Sequence, residues 1–305
     1  SRVSDFITDT IPLIQKNNIS LFTNYNNGVN IDSLKENNEY IFYKILDIFI
    51  DKIHINKFSS CCIYGLSRLT NYLSDKKTRD QFFFSGICRK LVKGEINIES
   101  DFLSYAIQII GNYLSAIDDN LIDIIIVEEI LSFFIKILSN KPNQNIKRDI
   151  FWSLSNITSG DAKSCEAFAK SGLLAIVLQS ITTESRNDII AEALCVLGGF
   201  FDVQNIEIIV NFYELDYIKN LVECLKIYEK GDSSMNITSN ENILEKLFNC
   251  IGFLFEDGDV MKIDGYENKF VKDFEKNGGF EILEHICSNH KFSYELLKVI
   301  EAILD

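Results

Sequence analysis

Two kinds of punctuation recur along the sequence at one spacing. A turn-forming dipeptide precedes an apolar run at Ser85-Gly86, at Ser171-Gly172 and again at Asn277-Gly278. Related segments around Glu129, which lacks the glycine, and around Asp216 continue the series, so positions 86, 129, 172 and 216 step by 43, 43 and 44. A second marker closes an apolar stretch at Tyr72, Asn112, Asn156 and Gly199, with steps of 40, 44 and 43. Two series in phase mean that one supersecondary unit is laid end to end, each copy burying its apolar face against its neighbours. A chain built this way extends by repetition instead of closing around a single core.

The units read as helical. From Asp149 to Ile157 the apolar residues Ile150, Phe151, Leu154 and Ile157 fall at helical steps of three and four. The stretch after Gly172 is almost wholly apolar, as expected of a helix covered on both sides, and Gly172 suits a turn at positive φ between two helices. Pro12 and Pro142 are the only prolines, which favours long helices, and no alternating strand pattern appears. Each unit is therefore expected to be a helix pair, in the period class that contains HEAT and armadillo repeats. Residues 229–241 interrupt the period and read as an exposed inserted loop. The first 40 residues are less regular, with a polar loop from Asn24 to Asn30.

Composition narrows the partners. There are 30 Lys and Arg against 44 Asp and Glu, a formal net charge of −14. Such a chain repels nucleic-acid phosphates and anionic membranes, so neither is an expected partner. No segment reaches about 18 uninterrupted apolar residues, and the N-terminal residues lack a signal-peptide pattern. Eight scattered cysteines without a Cys-x-x-Cys read as reduced, buried thiols of a cytosolic or nuclear protein, with Cys61-Cys62 as helix packing. The sequons at Asn18, Asn156 and Asn236 carry no meaning in that compartment. His54, His285 and His290 show no metal-ligand spacing, and no phosphate loop or nucleophile elbow is present. The expectation is a binding protein without cofactor or metal, not an enzyme.

The string from Asn145 through Trp152 and Asn156 to Gly160 resembles the armadillo repeats of the importin-α family. That family's third repeat helix carries Trp, three residues, then Asn. The stretch from Phe274 to Glu301 resembles the family's last repeat. The likeness runs over residues 40–305, strongest at 141–180 and 270–303. It implies an all-α, right-handed armadillo solenoid of about seven repeats, spanning 1–305 as one domain. It also implies an adaptor for Lys/Arg-rich nuclear localisation signals, moving between cytoplasm and nucleus. Importin-β would bind through a segment not seen in this chain, and the recycling exportin at the C-terminal repeats.

The implied site residues transfer unevenly. Trp152 would stack a basic stem, and Asn156 and Asn112 would hold the ligand backbone. Asp149, Glu192 and Asp118 would meet its charges, with Tyr72 as a further contact. In the family pattern Arg68 replaces a Trp, Gln108 stands before Asn112, and Cys195 and Gly199 replace Trp and Asn. Plainer readings stay open: Trp152 and Tyr72 as packing, Asn156 as a helix cap, Asp149 and Glu192 as solvated charges near a helix start. A protein-interaction scaffold that has lost signal recognition is the alternative.

Overall fold

The computed structural model describes residues 39–70, 76–96, 98–116, 124–200, 215–229, 237–260, 268–289, 297, 298, 300 and 303. Every regular element among them is helical. The chain falls into two compact units, one through Asp118 and one from Asp119.

In the first unit, α1 (Glu39–Lys52) packs on α2 (Asn56–Leu69). Short α3 (Lys76–Phe84) and α4 (Ile87–Val92) follow, and a 3-10 turn at Ser100–Phe102 leads into α5 (Leu103–Ser115). α5 lies against α2 and α4 and buries Ala106, Ile107, Ile109 and Ile110 between them.

The second unit holds α6 (Ile124–Ser139), α7 (Gln144–Thr158), α8 (Ala162–Lys170), α9 (Leu173–Thr183) and α10 (Asn187–Gly198). It continues through α11 (Tyr217–Glu229), α12 (Ile237–Val260), α13 (Lys269–Lys276) and α14 (Gly279–Asn289). Two layers run through it. α7, α10 and α12 pack side by side, and α9, α11 and α14 form the second layer. Short α8 and α13 bridge the layers.

The full repeat is thus three helices, seen in α8–α9–α10, and not the pair that periodicity suggested. The periodicity merged the short first helix with the second because their junction is so brief. At Ser171-Gly172 the serine hydroxyl donates to the Phe168 carbonyl at 2.6 Å and accepts from the Leu173 amide at 3.1 Å. Gly172 takes φ +84° and turns the chain. Ser85-Gly86 repeats the device, with Ile87 N–H donating to the Ser85 hydroxyl at 3.3 Å and Gly86 at φ +63°. The markers at 86, 172 and 278 are all left-handed glycines, and Asp216 takes φ +51° at the phase position where glycine is absent. Glu129 differs: it lies inside α6, so no turn falls there.

An alanine at 172 would face open space but would still be forced into the left-handed region. That costs on the order of 1 kcal/mol. Gly172→Ala is expected to lower the melting temperature by about 2–4 °C, and Gly172→Asn by less, since Asn tolerates the region. A circular-dichroism melt checks both.

The inserted loop expected at 229–241 is shorter than expected. α11 runs to Glu229 and α12 starts at Ile237, so its last five residues are helix. Residues 230–236, like most of the first 40, lie outside the described residues. No described helix is long and apolar enough to cross a membrane. Cys62, Cys88, Cys165, Cys224 and Cys250 are buried free thiols, and burial pushes those of Cys165, Cys224 and Cys250 up to about 12.

Candidate functional site

The layer α7–α10–α12 sets the site. In each helix one fully buried pair fixes the register: Ile150-Phe151, Ala193-Leu194 and Leu247-Phe248. The residue before each pair, the residue after it, and the one four further on share a less buried face. On α7 these are Asp149, Trp152 and Asn156; on α10, Glu192, Cys195 and Gly199; on α12, Lys246, Asn249 and Phe253.

α7 is fixed at its start by Asn143, whose side chain accepts from the Ile146 amide at 3.0 Å. That cap follows Pro142 directly, and it starts the helix in the phase that puts Trp152 and Asn156, four apart, on the half-buried face. Ser153 is buried and donates to the Asp149 carbonyl at 2.9 Å, while Ser155 donates to the Trp152 carbonyl at 2.8 Å.

The three acids behave differently. Asp149 is 5% exposed, and one carboxylate oxygen accepts from Arg148 Nη2 at 2.7 Å and Nε at 3.2 Å. It was expected to meet a ligand's charge, but its negative charge is already answered by its neighbour. Asp188, at the start of α10, is ion-paired with Arg186, whose hydrogen bond holds the Asp188 carboxyl below its usual range. Arg148 Nη1 lies 3.7 Å from Asp188 as well. Arg186 reaches back to Asn145 Oδ1 at 2.8 Å, tying the start of α10 to that of α7.

Glu192 is the exception. It is half-buried, and among the described residues its carboxylate has no hydrogen bond or ion pair. Burial raises its pKa above the usual glutamate value. Lys246 and Arg148 pull the other way, and Asp188 and Asp149 add to the rise. The structure therefore brings Asp149 and Glu192 into one electrostatic cluster, and leaves one acid of that cluster without a partner.

One expected clamp, Asn112, is engaged elsewhere, and the missing one at Gly199 has a structural reason. Asn112 donates from Nδ2 to the Thr70 hydroxyl at 2.9 Å, so this amide joins α2 to α5 instead of standing ready for a ligand backbone. Gly199 sits where the family pattern has Asn. A Cβ there would lie 2.4 Å from Thr158 Oγ1, 2.7 Å from the Thr158 carbonyl carbon and 2.9 Å from Ser159 N. The close approach of α10 to the end of α7 excludes a side chain at 199. Cys195 accepts from Lys246 Nζ at 3.2 Å, and Arg68 rests 5.8 Å from the Tyr64 ring centre. Tyr72 and Asp118 lie outside the described residues.

Sequence reasoning missed Arg148, Arg186 and Lys246, the cations that decide which acids are available. Arg148 and Arg186 pair with acids one and two residues away, while their further contacts, with Asp188 and Asn145, and that of Lys246 with Cys195 cross between helices.

No protein-family model matches the chain. Importin subunit alpha-1a of Oryza sativa subsp. japonica is 28% identical over 107 residues, which take in 34% of this chain and 20% of that protein. The matched stretch thus spans one fifth of that relative's length. The designed armadillo repeat protein YIII(Dq.V1)4CPAF, solved in complex with the peptide (KR)4, is similar in fold with a TM-score of 0.63. That match is 17% identical and covers 84% of this chain and 96% of that one. A computationally designed armadillo repeat protein for modular peptide recognition matches with a TM-score of 0.63 and 16% identity, covering 84% of this chain and 95% of its own. The fold is an all-α armadillo-repeat solenoid, with sequence similarity to importin-α.

Proposed function

We propose that this chain binds an extended, Lys/Arg-rich peptide along the open face of α7 and α10. The observation that carries the reading is Glu192: a half-buried carboxylate with no hydrogen bond or ion pair among the described residues, beside the half-buried Trp152 helix. Burying an unanswered carboxylate is costly, and a ligand cation would relieve that cost. In this reading Trp152 packs the aliphatic stem and faces the cation of a Lys or Arg, and Asn156 grips the peptide backbone. The rice importin subunit and the (KR)4-bound designed protein support the same chemistry.

The finer reading is a nuclear-import adaptor that recognises nuclear localisation signals and shuttles between cytoplasm and nucleus. Importin-β and a recycling exportin would then be its transport partners. No step of this role is catalytic.

Titration of a fluorescein-labelled Lys/Arg octapeptide, followed by anisotropy, tests the reading. Binding should weaken with added salt, and Trp152→Ala should weaken it about tenfold, in line with a cation–aromatic contact of about 0.5–2 kcal/mol. Binding by Trp152→Ala as tight as by the parent would sink it. The committed Asn112 amide and the Gly199 approach favour a second reading, a scaffold for a non-basic partner. That reading gains if the peptide fails to bind while other proteins are captured.

A further inference from the structure

We infer that Lys246 closes the basic register of the groove at α12, so that the ligand side chain lying just beyond Glu192 is neutral or acidic. The inference rests on the peptide-binding reading and names the ligand class more narrowly.

The buried pairs align the three helices. At the position just before the pair, α7 has Asp149, α10 has Glu192 and α12 has Lys246, so the sign reverses at the third helix. At the next position the series is Trp152, Cys195, Asn249; at the third it is Asn156, Gly199, Phe253. Phe253 is 41% exposed. At none of the three positions does α12 keep the residue type of α7.

Lys246 also reaches back. Its ammonium donates to Cys195 Sγ at 3.2 Å, at the position that Trp152 holds on α7. The protein's own lysine thus occupies the place where a ligand lysine would seek its second slot. It also attracts Glu192, competing for the carboxylate that a ligand cation needs. A second basic side chain here would have to displace Lys246 and then sit beside its charge. An acidic or neutral side chain meets no such penalty.

The test compares the wild type with Lys246→Glu, Lys246→Gln and a control, Lys226→Glu, against the alternating Lys-Arg octapeptide at physiological salt. Lys226 lies on α11, outside the layer, paired with Glu223 at 2.8 Å. Lys226→Glu changes net charge as much as Lys246→Glu, so it reads out long-range steering alone. Lys246→Glu is expected to tighten binding about tenfold, about 1.4 kcal/mol, and the control less than about twofold. Lys246→Gln removes the charge without reversing it, guards against misfolding of the charge-reversed protein, and should gain about threefold.

Wild-type binding that Lys246→Glu tightens no more than Lys226→Glu overturns this inference and leaves the peptide reading intact. Binding by Lys246→Glu but not by the wild type supports it outright. Failure of every protein to bind overturns the peptide reading, and this inference with it.

Discussion

Gly199→Asn is expected to lower the melting temperature by about 6–10 °C, even though it restores the residue type found at Asn156. The added Cβ would sit 2.7 Å from the Thr158 carbonyl carbon and 2.9 Å from Ser159 N. Both are backbone atoms at the end of α7, so no side-chain rotation relieves the contact. The helices must separate along one of the most extensive interfaces of the unit, α7 against α10. Overpacking of this kind costs about 1–3 kcal/mol, and the backbone partners put it at the upper end. At about 2–4 °C per kcal/mol for a chain of this size the shift follows. Gly199→Ala already carries the clash and should lose most of the same stability. Melts that coincide with the parent would mean that α10 does not approach α7 as described. Thr70 holds the equivalent place opposite Asn112, where the helices stand far enough apart for a hydrogen bond to span them. One contact is solved in two ways, and spacing between neighbouring helices decides which.

That contrast shows where the sequence stops being readable. The turns were legible because they are local: Ser171-Gly172 and Ser85-Gly86 contain donor, acceptor and positive φ within a few residues. The phase of the repeats followed from them, and with it the face shared by Trp152 and Asn156. The three-helix unit was not legible, because a one-residue left-handed turn leaves the apolar pattern almost unbroken. Nor was the state of the acids. Asn112 finds Thr70 42 residues away, and Lys246 finds Cys195 51 residues away. Those separations are close to one repeat, but the pairing depends on how far each helix is rotated and shifted against the next. The family pattern named Asp149 and Glu192 alike. Only the geometry separates them: Arg148 is ion-paired with Asp149 and acts on Glu192 through its charge without a direct bond.

Glu192→Gln is expected to weaken binding of the basic octapeptide by about 10–100-fold, while leaving the melting temperature unchanged or raised at neutral pH. The loss follows from replacing a charge-assisted contact, worth about 1.5–3 kcal/mol, by a neutral one. The stability gain follows from the raised pKa. A carboxyl whose folded pKa exceeds its unfolded value binds a proton more readily when folded. Folding is then favoured as pH falls through the interval between the two values, and the ionised form costs stability above it. Gln carries no such cost. Binding runs the opposite way: a ligand cation needs the ionised form, so affinity should fall as pH drops, beginning above the range of an ordinary glutamate. The groups facing Glu192 are Arg148 and Asp149 on α7, Asp188 on α10 and Lys246 on α12. Asp149 and Asp188 are already ion-paired, and Glu192 is expected to set the upper limb of the profile. Glu192→Gln should flatten that limb. A carboxylate kept for structure would show the reverse, a stability loss with no change in the pH profile of binding. A side chain that costs stability alone and returns it only with a basic ligand is the mark of a binding residue.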